Sequence, residues 1–258
     1  MGAESTAGLG RAAGGVQAVL LFHRLSWRLR RVLGRTYREK QRRMRGALYM
    51  KEYNKIETVY KRDVNGSKKL IEGMYCNETV EFLSDNKWEF TEKIDGTNIR
   101  IHWDGHKITF GGRTDRAQIP AHLVNKLSEM FLNVETEELF EQKFGEREVI
   151  LFGEGYGNKI QNGGAYRSDV GFILFDVMIG DNYQSRESVE DVARCFNLEI
   201  VPIIVRGSIQ EAVDFVKTKP NSTIGTAKME ELVGRPVVEM RDRCGKRIII
   251  KIKVRDFQ

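Results

Sequence analysis

From Met50 onward, short stretches of alternating apolar and polar residues are separated by turn residues. Trp88–Lys93 and Asn98–Trp103 alternate with the period of two that half-buried strands require. Asp104-Gly105 is a strong hairpin turn signal, and Lys107–Phe110 follows as the return strand. Within His122–Leu132, Leu123, Leu127, Met130 and Phe131 recur at helical spacing. Glu148–Phe152 and Val170–Ile179 are apolar runs of strand length. Ser188–Phe196 predicts a helix opened by Ser188, and Ser208–Val216 another, with Ser208 and Glu211 forming a capping box. Arg247–Val254 reads as a last strand. Strands and helices mixed in this order predict an α+β domain of antiparallel sheets flanked by helices.

Residues 1–49 have a different pattern. They begin rich in Gly and Ala and turn arginine-rich from Arg24 to Arg45. The apolar run Val16–Phe22 precedes the arginines and no small-residue cleavage site follows, so it makes a poor secretory signal. Three readings fit: an organellar transit peptide, a basic arm for nucleic acid, or a dispensable extension. The last is the expectation adopted, with residues 50–258 forming the folded domain.

Composition narrows the class. Hydrophobic residues make up 41% and charged residues 30%, the balance of a globular chain rather than a disordered one. No run of apolar residues is long enough for a transmembrane helix, so no membrane association is expected. Cys76, Cys195 and Cys244 are far apart and form no C-x-x-C pair. This argues against a disulfide scaffold or a cysteine zinc site and for a reducing, intracellular compartment, the cytoplasm first. The net charge of +6 is unevenly placed: 11 of the 42 Lys and Arg fall in the first 50 residues, beside only Glu4 and Glu39. The rest of the chain therefore carries slightly more acid than base, and any polyanion site there needs locally placed cations.

Several short patterns carry candidate chemistry. Lys93-Ile94-Asp95-Gly96-Thr97-Asn98 puts a lysine at a strand end before an Asp-Gly turn, where glycine permits close approach of backbone to a ligand. Gly111-Gly112-Arg113 offers an arginine suited to phosphate. Leu151-Phe152-Gly153-Glu154-Gly155 ends an apolar strand with a glutamate between glycines. A polar loop follows it rather than a helix, so it is not a dinucleotide fingerprint, and no G-x-x-x-x-G-K-[ST] phosphate loop occurs. Phe172–Asp176 is a buried strand with one aromatic free to face a base, and Glu230 is a second strand-end carboxylate. In Ile250-Lys251-Ile252-Lys253-Val254 the two lysines share one face of a strand and the apolar residues the other. Taken singly, these are an ordinary hairpin lysine, a loop arginine, a buried strand and a solvated edge.

Their order along residues 88–256 resembles the successive motifs of the covalent nucleotidyltransferases, which include DNA ligases, RNA ligases and mRNA capping enzymes. Asn98, at the end of the first motif, is similar to RNA ligases of the phage T4 RNA ligase 2 type, as is the run Gly155–Tyr166 with its Ile160-Gln161-Asn162. The resemblance implies an ATP-grasp-like nucleotidyltransferase domain and an ATP-dependent RNA ligase that joins 5′-phosphate and 3′-OH ends. Lys93 would become covalently adenylylated and pass AMP to an RNA 5′-phosphate. An amine attacks only when uncharged, and the cations Lys251, Lys253 and a metal would favour that form. The same lysines would neutralise the α-phosphate in the transition state. Glu154 and Glu230 would hold Mg²⁺ or Mn²⁺, although Glu154 could bind the ribose instead. Phe175 would stack on adenine and Glu92 face its edge. Asn98 and Arg113 would contact ribose or the RNA 5′-phosphate, and Arg235 the phosphate of the nucleic acid.

Two positions depart from the family pattern. Asp95 stands where the T4-type enzyme has histidine, and Glu231 follows Glu230 where these enzymes usually have glycine, so either glutamate could take the metal role. The chain ends at Gln258, five residues past Lys253. It therefore reads as a minimal catalytic domain without a C-terminal OB-fold, to which a separate RNA-binding or end-healing partner could add RNA-binding surface. A nick-sealing ligase for DNA or RNA–DNA hybrids, and a ligase-like module that binds nucleotide or RNA without sealing, are the alternatives.

Overall fold

The computed structural model describes residues 50–257; the readings of residues 1–49 lie outside the described residues. Three short strands open the described chain: β1 (Glu57–Thr58), β2 (Tyr60–Arg62) and β3 (Leu70–Tyr75), before helix α1 (Glu78–Phe82). The predicted central strands follow as β4 (Trp88–Lys93), β5 (Thr97–Trp103) and β6 (Ile108–Gly111). Helices α2 (Ala121–Phe131) and α3 (Val134–Phe144) lead to β7 (Val149–Gly157) and β8 (Val170–Ile179). Then come β9 (Asn182–Tyr183), α4 (Arg186–Cys195), β10 (Glu199–Ile200), β11 (Ile203–Gly207) and α5 (Ile209–Lys217). The strands β12 (Glu231–Pro236) and β13 (Ile250–Lys253) close the fold.

Several boundaries differ from the sequence expectation for local reasons. Helix α4 starts at Arg186 because Ser185, not Ser188, is its N-cap: the Ser185 hydroxyl accepts from the Ser188 N–H at 3.3 Å. The capping box on α5 is present as expected, with Ser208 Oγ accepting from the Glu211 N–H and the Glu211 carboxylate accepting from the Ser208 N–H at 2.6 Å. Helix α3 had no sequence expectation. It is glutamate-rich, buries Phe140 and Phe144, and is capped by Asn133 accepting from the Thr136 N–H at 2.9 Å. Strand β7 continues to Gly157, which places Glu154 inside the strand rather than at its end. Only Ile250–Lys253 of the last predicted strand is regular; Arg247 makes an isolated bridge to Arg241, and Val254 begins a 3₁₀ turn.

Among the described residues, the strands form a five-stranded sheet (β1-β13-β12-β4-β11), a six-stranded sheet (β10-β8-β7-β5-β6, with β9 beside β8) and the β2–β3 pair. Pairing is antiparallel except for β1 with β13 and β10 with β8. Each large sheet buries one face against helices. Leu123, Leu127, Phe131, Phe140, Phe144, Val189 and Val192 cover the six-stranded sheet from α2, α3 and α4. Ile209, Ala212, Val213 and Val216 of α5 cover the five-stranded sheet above Phe90, Leu232, Ile250 and Ile252. The remaining faces of the two sheets meet across a cleft.

A buried ionic cluster ties the sheets together at the base of that cleft. Asp176 of β8 is 1% exposed. It accepts from the Tyr53 hydroxyl at 2.9 Å and from Arg235 of β12 at 3.4 Å, and it pairs closely with Arg247 before β13. Arg247 also makes a two-point contact with Glu239 at 2.6 and 2.8 Å and lies 4.0 Å from the centre of the Tyr183 ring. Burial opposes the Arg247 charge, but Asp176, Tyr53 and Glu239 outweigh it and hold its pKa above the ordinary value.

Removing one member of such a cluster leaves charge buried without a partner. Asp176→Ala is expected to lower stability by about 3–5 kcal/mol in urea unfolding. A loss below about 1 kcal/mol would show that the two arginines do not depend on this carboxylate.

Candidate active site

Lys93 is the last residue of β4 and is half-buried at the cleft. Its side chain makes no hydrogen bond or ion pair among the described residues. The turn after it is held on two sides. The Asp95 carboxylate accepts from the backbone N–H and the side-chain amide of Asn162, at 3.3 and 3.0 Å, which joins this turn to the loop after β7. A Cβ on Gly96 would lie 2.4 Å from the Gly155 carbonyl oxygen and 2.9 Å from the Glu154 Cγ. Glycine at position 96 therefore lets the lysine-bearing turn press directly onto the strand that carries Glu154.

That strand is shaped by its own glycines. Gly153 and Gly155 point toward the core, where a Cβ would meet the Phe172 ring at 2.2 Å and Leu123 at 2.4 Å. Alternation then turns Glu154 into the cleft, and the register sets it opposite Asn98 of β5. The Glu154 carboxylate has no hydrogen-bond partner among the described residues, and Asn98 Oδ1 is buried without one. Burial pushes the Glu154 pKa up to about 8; Asp95 adds to the rise, while Lys93 and Arg113 oppose it. Across β7 the register slips by one residue, because Phe152 pairs with Asp176 and Gly153 with Leu174. Phe175 is the extra residue of this bulge, and its ring lies edge-on to Tyr53 at 5.0 Å.

The facing sheet supplies the cations. Glu231 of β12 stands between two register partners, Lys93 on β4 and Lys253 on β13. Lys251 and Lys253 share the cleft side of β13, while Ile250 and Ile252 are buried on the other, as the sequence predicts. Glu231 Oε1 lies 3.0 Å from Lys253 Nζ and its Oε2 3.9 Å from Lys251 Nζ. Burial lowers the Lys251 pKa, and Lys253, Lys93 and Arg113 push it the same way against Glu231. Glu230 precedes β12 and is exposed; partial burial and the Asp95 carboxylate raise its pKa. Arg113 is exposed in the loop after β6. That loop is pinned by Arg100, fully buried, which donates to Gly112 O at 2.6 Å, to Met50 O at 2.5 Å and to Asp115 at 2.9 Å.

Two of the predicted site residues, Glu92 and Arg235, line the same cavity as Lys93, with side chains that already have partners. The Glu92 carboxylate accepts from the Thr223 N–H at 3.0 Å and its hydroxyl at 2.7 Å, and pairs closely with Ser222. Both oxygens are therefore engaged with the loop that leads to Glu230, although Glu92 itself lines the cavity. Arg235 is 8% exposed and lies against Asp176 on the cavity wall, with its Nη2 lacking a hydrogen-bond partner. Sequence reasoning missed Tyr53, Asp176 as a hub, Arg100 and the lysine-pairing role of Glu231. Each depends on a partner far along the chain, and no local pattern marks it.

The cleft encloses a mainly apolar cavity with Lys93 on its wall. Tyr53, Phe175, Ile94, Val201, Val233 and Ile249 line it, and Asn98, Glu154, Glu92, Asp176 and Arg235 are its polar lining. A flat ring would meet the Phe175 and Tyr53 side, and hydroxyls could meet Glu154 and Asn98. Lys251 and Lys253 open instead onto an adjoining groove lined by Lys55, Lys61, Arg62 and Arg255 together with Glu57 and Asp256. No cage of three or more His, Cys, Asp or Glu side chains exists among the described residues. The partnerless Glu154 carboxylate and the Glu230 carboxylate each have Asp95 in their electrostatic neighbourhood, which makes a hard-oxygen donor set. It fits Mg²⁺ or Mn²⁺, which keep several waters and share one or two carboxylates with substrate phosphates.

A family model described as RNA ligase matches residues 86–253, nearly two thirds of the chain and all of the cleft-forming strands from β4 to β13. This chain belongs to the RNA ligase family. The comparison with solved structures concerns the fold. An apo form of a Naegleria gruberi RNA ligase superposes with a TM-score of 0.52 at 20% identity, covering 68% of this chain and 51% of that one. A form with AMP and manganese gives 0.52 at 20%, covering 68% and 52%. A form with ATP and manganese gives 0.55 at 17%, covering 80% and 57%. The chain thus spans about half the length of the Naegleria structures it matches. No curated protein sequence matches it. As an RNA ligase family member, it has the α+β nucleotidyltransferase fold expected from its motifs.

Gly96→Ala is expected to leave the protein folded by circular dichroism but to weaken AMP binding by about tenfold or more. The added methyl must push the lysine-bearing turn off β7, and small displacements at such sites are costly. Unchanged binding would show that the turn can retreat without cost. A second expectation concerns pH. A carboxyl with a raised folded-state pKa favours folding while protonated, and this stabilisation is lost as pH rises through about 8. The stability of ligand-free Glu154→Gln should therefore gain on wild type between about pH 5 and about pH 9 in urea titrations. A gap that does not move with pH would contradict the buried, partnerless state of Glu154.

Proposed function

We propose that the domain is the catalytic unit of an ATP-dependent RNA ligase that joins RNA 5′-phosphate and 3′-OH ends through a lysyl-AMP intermediate. The observation that carries this reading is Lys93, a half-buried lysine without a partner, on the wall of an apolar cavity beside the Lys251–Lys253 pair. Family membership supports RNA as the substrate class.

In this reading the adenine ring enters between Phe175 and Tyr53, and the ribose hydroxyls meet Asn98 Oδ1 and Glu154. Lys93 Nζ, once deprotonated, attacks the α-phosphorus of ATP in line with the departing pyrophosphate. A P–N bond forms as the P–O bond to pyrophosphate breaks, and the amine's second proton passes to solvent. Lys251 and Lys253 stabilise the charge that builds on the phosphoryl oxygens. A divalent cation held by Glu154 and Glu230 supplies further positive charge to the phosphates when bound. An RNA 5′-phosphate oxygen then attacks the same phosphorus, the P–N bond breaks and Lys93 regains its proton. Finally the 3′-OH attacks the activated 5′-phosphate, forming the phosphodiester and releasing AMP. Arg113, exposed at the cleft rim and held by Arg100, is placed to contact the incoming 5′-phosphate.

Intact-mass measurement after incubation with ATP and Mg²⁺ tests this directly. The full chain should gain one AMP, about 329 Da, and Lys93→Ala should not, while keeping the wild-type fold because its Nζ bonds to nothing among the described residues. No adduct on the wild type with either Mg²⁺ or Mn²⁺ would overturn the reading.

A further inference from the structure

The position after Glu230, where related ligases usually have glycine, carries a glutamate whose side chain is 12% exposed. Glu231 contributes its carboxylate to the cation cluster itself. Lys253 Nζ lies 3.0 Å from one oxygen and Lys251 Nζ 3.9 Å from the other, and Lys93 is its register partner on the opposite side. The second oxygen is buried and has no hydrogen-bond partner. The carboxylate is thus only half satisfied. A half-satisfied buried carboxylate is poorly stabilised by its surroundings and exchanges readily for a better-placed anion.

Resting on the ligase reading above, we propose that Glu231 is an internal stand-in for a nucleotide phosphate. It neutralises Lys251 and Lys253 in the absence of nucleotide and is displaced from them when the polyphosphate of ATP binds. Three features of the site carry this. Without Glu231, the lysines would repel each other and Lys93 across a partly buried strand pair, which already lowers the Lys251 pKa. The two lysines also open to a groove in which Lys55, Lys61, Arg62 and Arg255 outnumber Glu57 and Asp256, so an incoming polyanion reaches them from the side. The displaced side chain has somewhere to go: Glu230, Glu231, Val254 and the exposed Arg255 line a small depression next to the pair. Rotation about the Glu231 side-chain bonds toward Arg255 exchanges one cation for another. Nucleotide binding then swaps ion pairs instead of forming new ones, which moderates affinity and eases release of the product.

The experiment is isothermal titration of the full chain and Glu231→Gln in EDTA, where no transfer chemistry proceeds. The probes are ATP, inorganic tripolyphosphate and adenosine. Glu231→Gln should bind ATP and tripolyphosphate at least about tenfold more tightly than wild type, as loss of a close like charge in a partly buried site requires. Adenosine affinity should not change. The difference should shrink as salt is raised. Equal ATP constants, weaker ATP binding by the variant, or equal tightening for adenosine would each overturn the proposal. Should Glu231→Gln fail to fold, Glu231→Asp serves: it keeps the charge but draws it back from Lys253, and should give a smaller tightening in the same direction. ATP binding by neither protein would overturn the ligase reading and this proposal together, whereas binding by both with equal constants would overturn this proposal alone.

Discussion

One buried carboxylate holds the cleft open in a defined shape. Asp176 belongs to the six-stranded sheet, and two of its partners, Arg235 and Arg247, come from β12 of the five-stranded sheet and from the chain just before β13. Tyr53 adds a third partner from the segment ahead of β1. The two largest apolar clusters cover the outer faces of the sheets, and smaller ones around Ile94, Tyr156 and Ile173 and around Ile150, Phe152 and Met178 lie on the inner side. The joint at Asp176 is nonetheless ionic, and a buried ionic joint is stable only when its charges are matched. Asp176 and Glu239 balance Arg247 and Arg235 in charge, and the Tyr183 ring covers the Arg247 guanidinium, although Arg235 Nη2 is buried without a hydrogen-bond partner.

The active-site residues follow the opposite rule. Lys93, Glu154 and Asn98 Oδ1 have no partners among the described residues, although they stand within one cleft. The glycines around them explain how such groups are kept in place. Gly96, Gly153 and Gly155 let a turn, a ring and a helix approach β7 so closely that the strand cannot shift to relieve the exposed charge. Rigidity is supplied by backbone contact, and the side chains stay free for a ligand. Glu231 is the exception, since it pairs with the lysines from within the site.

The sequence was informative where chemistry repeats locally. Alternation marked β4 and β5, the Ser208–Glu211 box marked α5, and the spacing in Ile250–Lys253 placed both lysines on one face. The order of the motifs identified the family before any contact was known. The contacts of the Glu92 carboxylate with Ser222 and Thr223 were not legible, because those partners lie some 130 residues away, although Glu92 does line the cavity with Lys93. The start of α4 was misplaced because Ser185 and Ser188 are equally good caps in sequence, and only the fold selects between them. The hub at Asp176 was illegible for a different reason. Its partners at positions 53, 235 and 247 are distant in sequence, and nothing in a strand such as Phe172–Asp176 announces an aspartate that will bridge two sheets.

The bulge at Phe175 gives β8 an arithmetic that ordinary strands lack. In a regular strand, neighbouring residues face opposite ways, so a ring for the cavity and a carboxylate for the joint could not be adjacent. The extra residue allows both, and it ties the ligand pocket and the inter-sheet joint to the same point of the chain. Strand length at this point is therefore as constrained as residue type. Loss of a single residue would restore regular alternation and leave the fold with either a pocket wall or a joint. In this family member, β8 can drift in apolar identity, but its count of residues between Leu174 and Asp176 cannot change without separating binding from architecture.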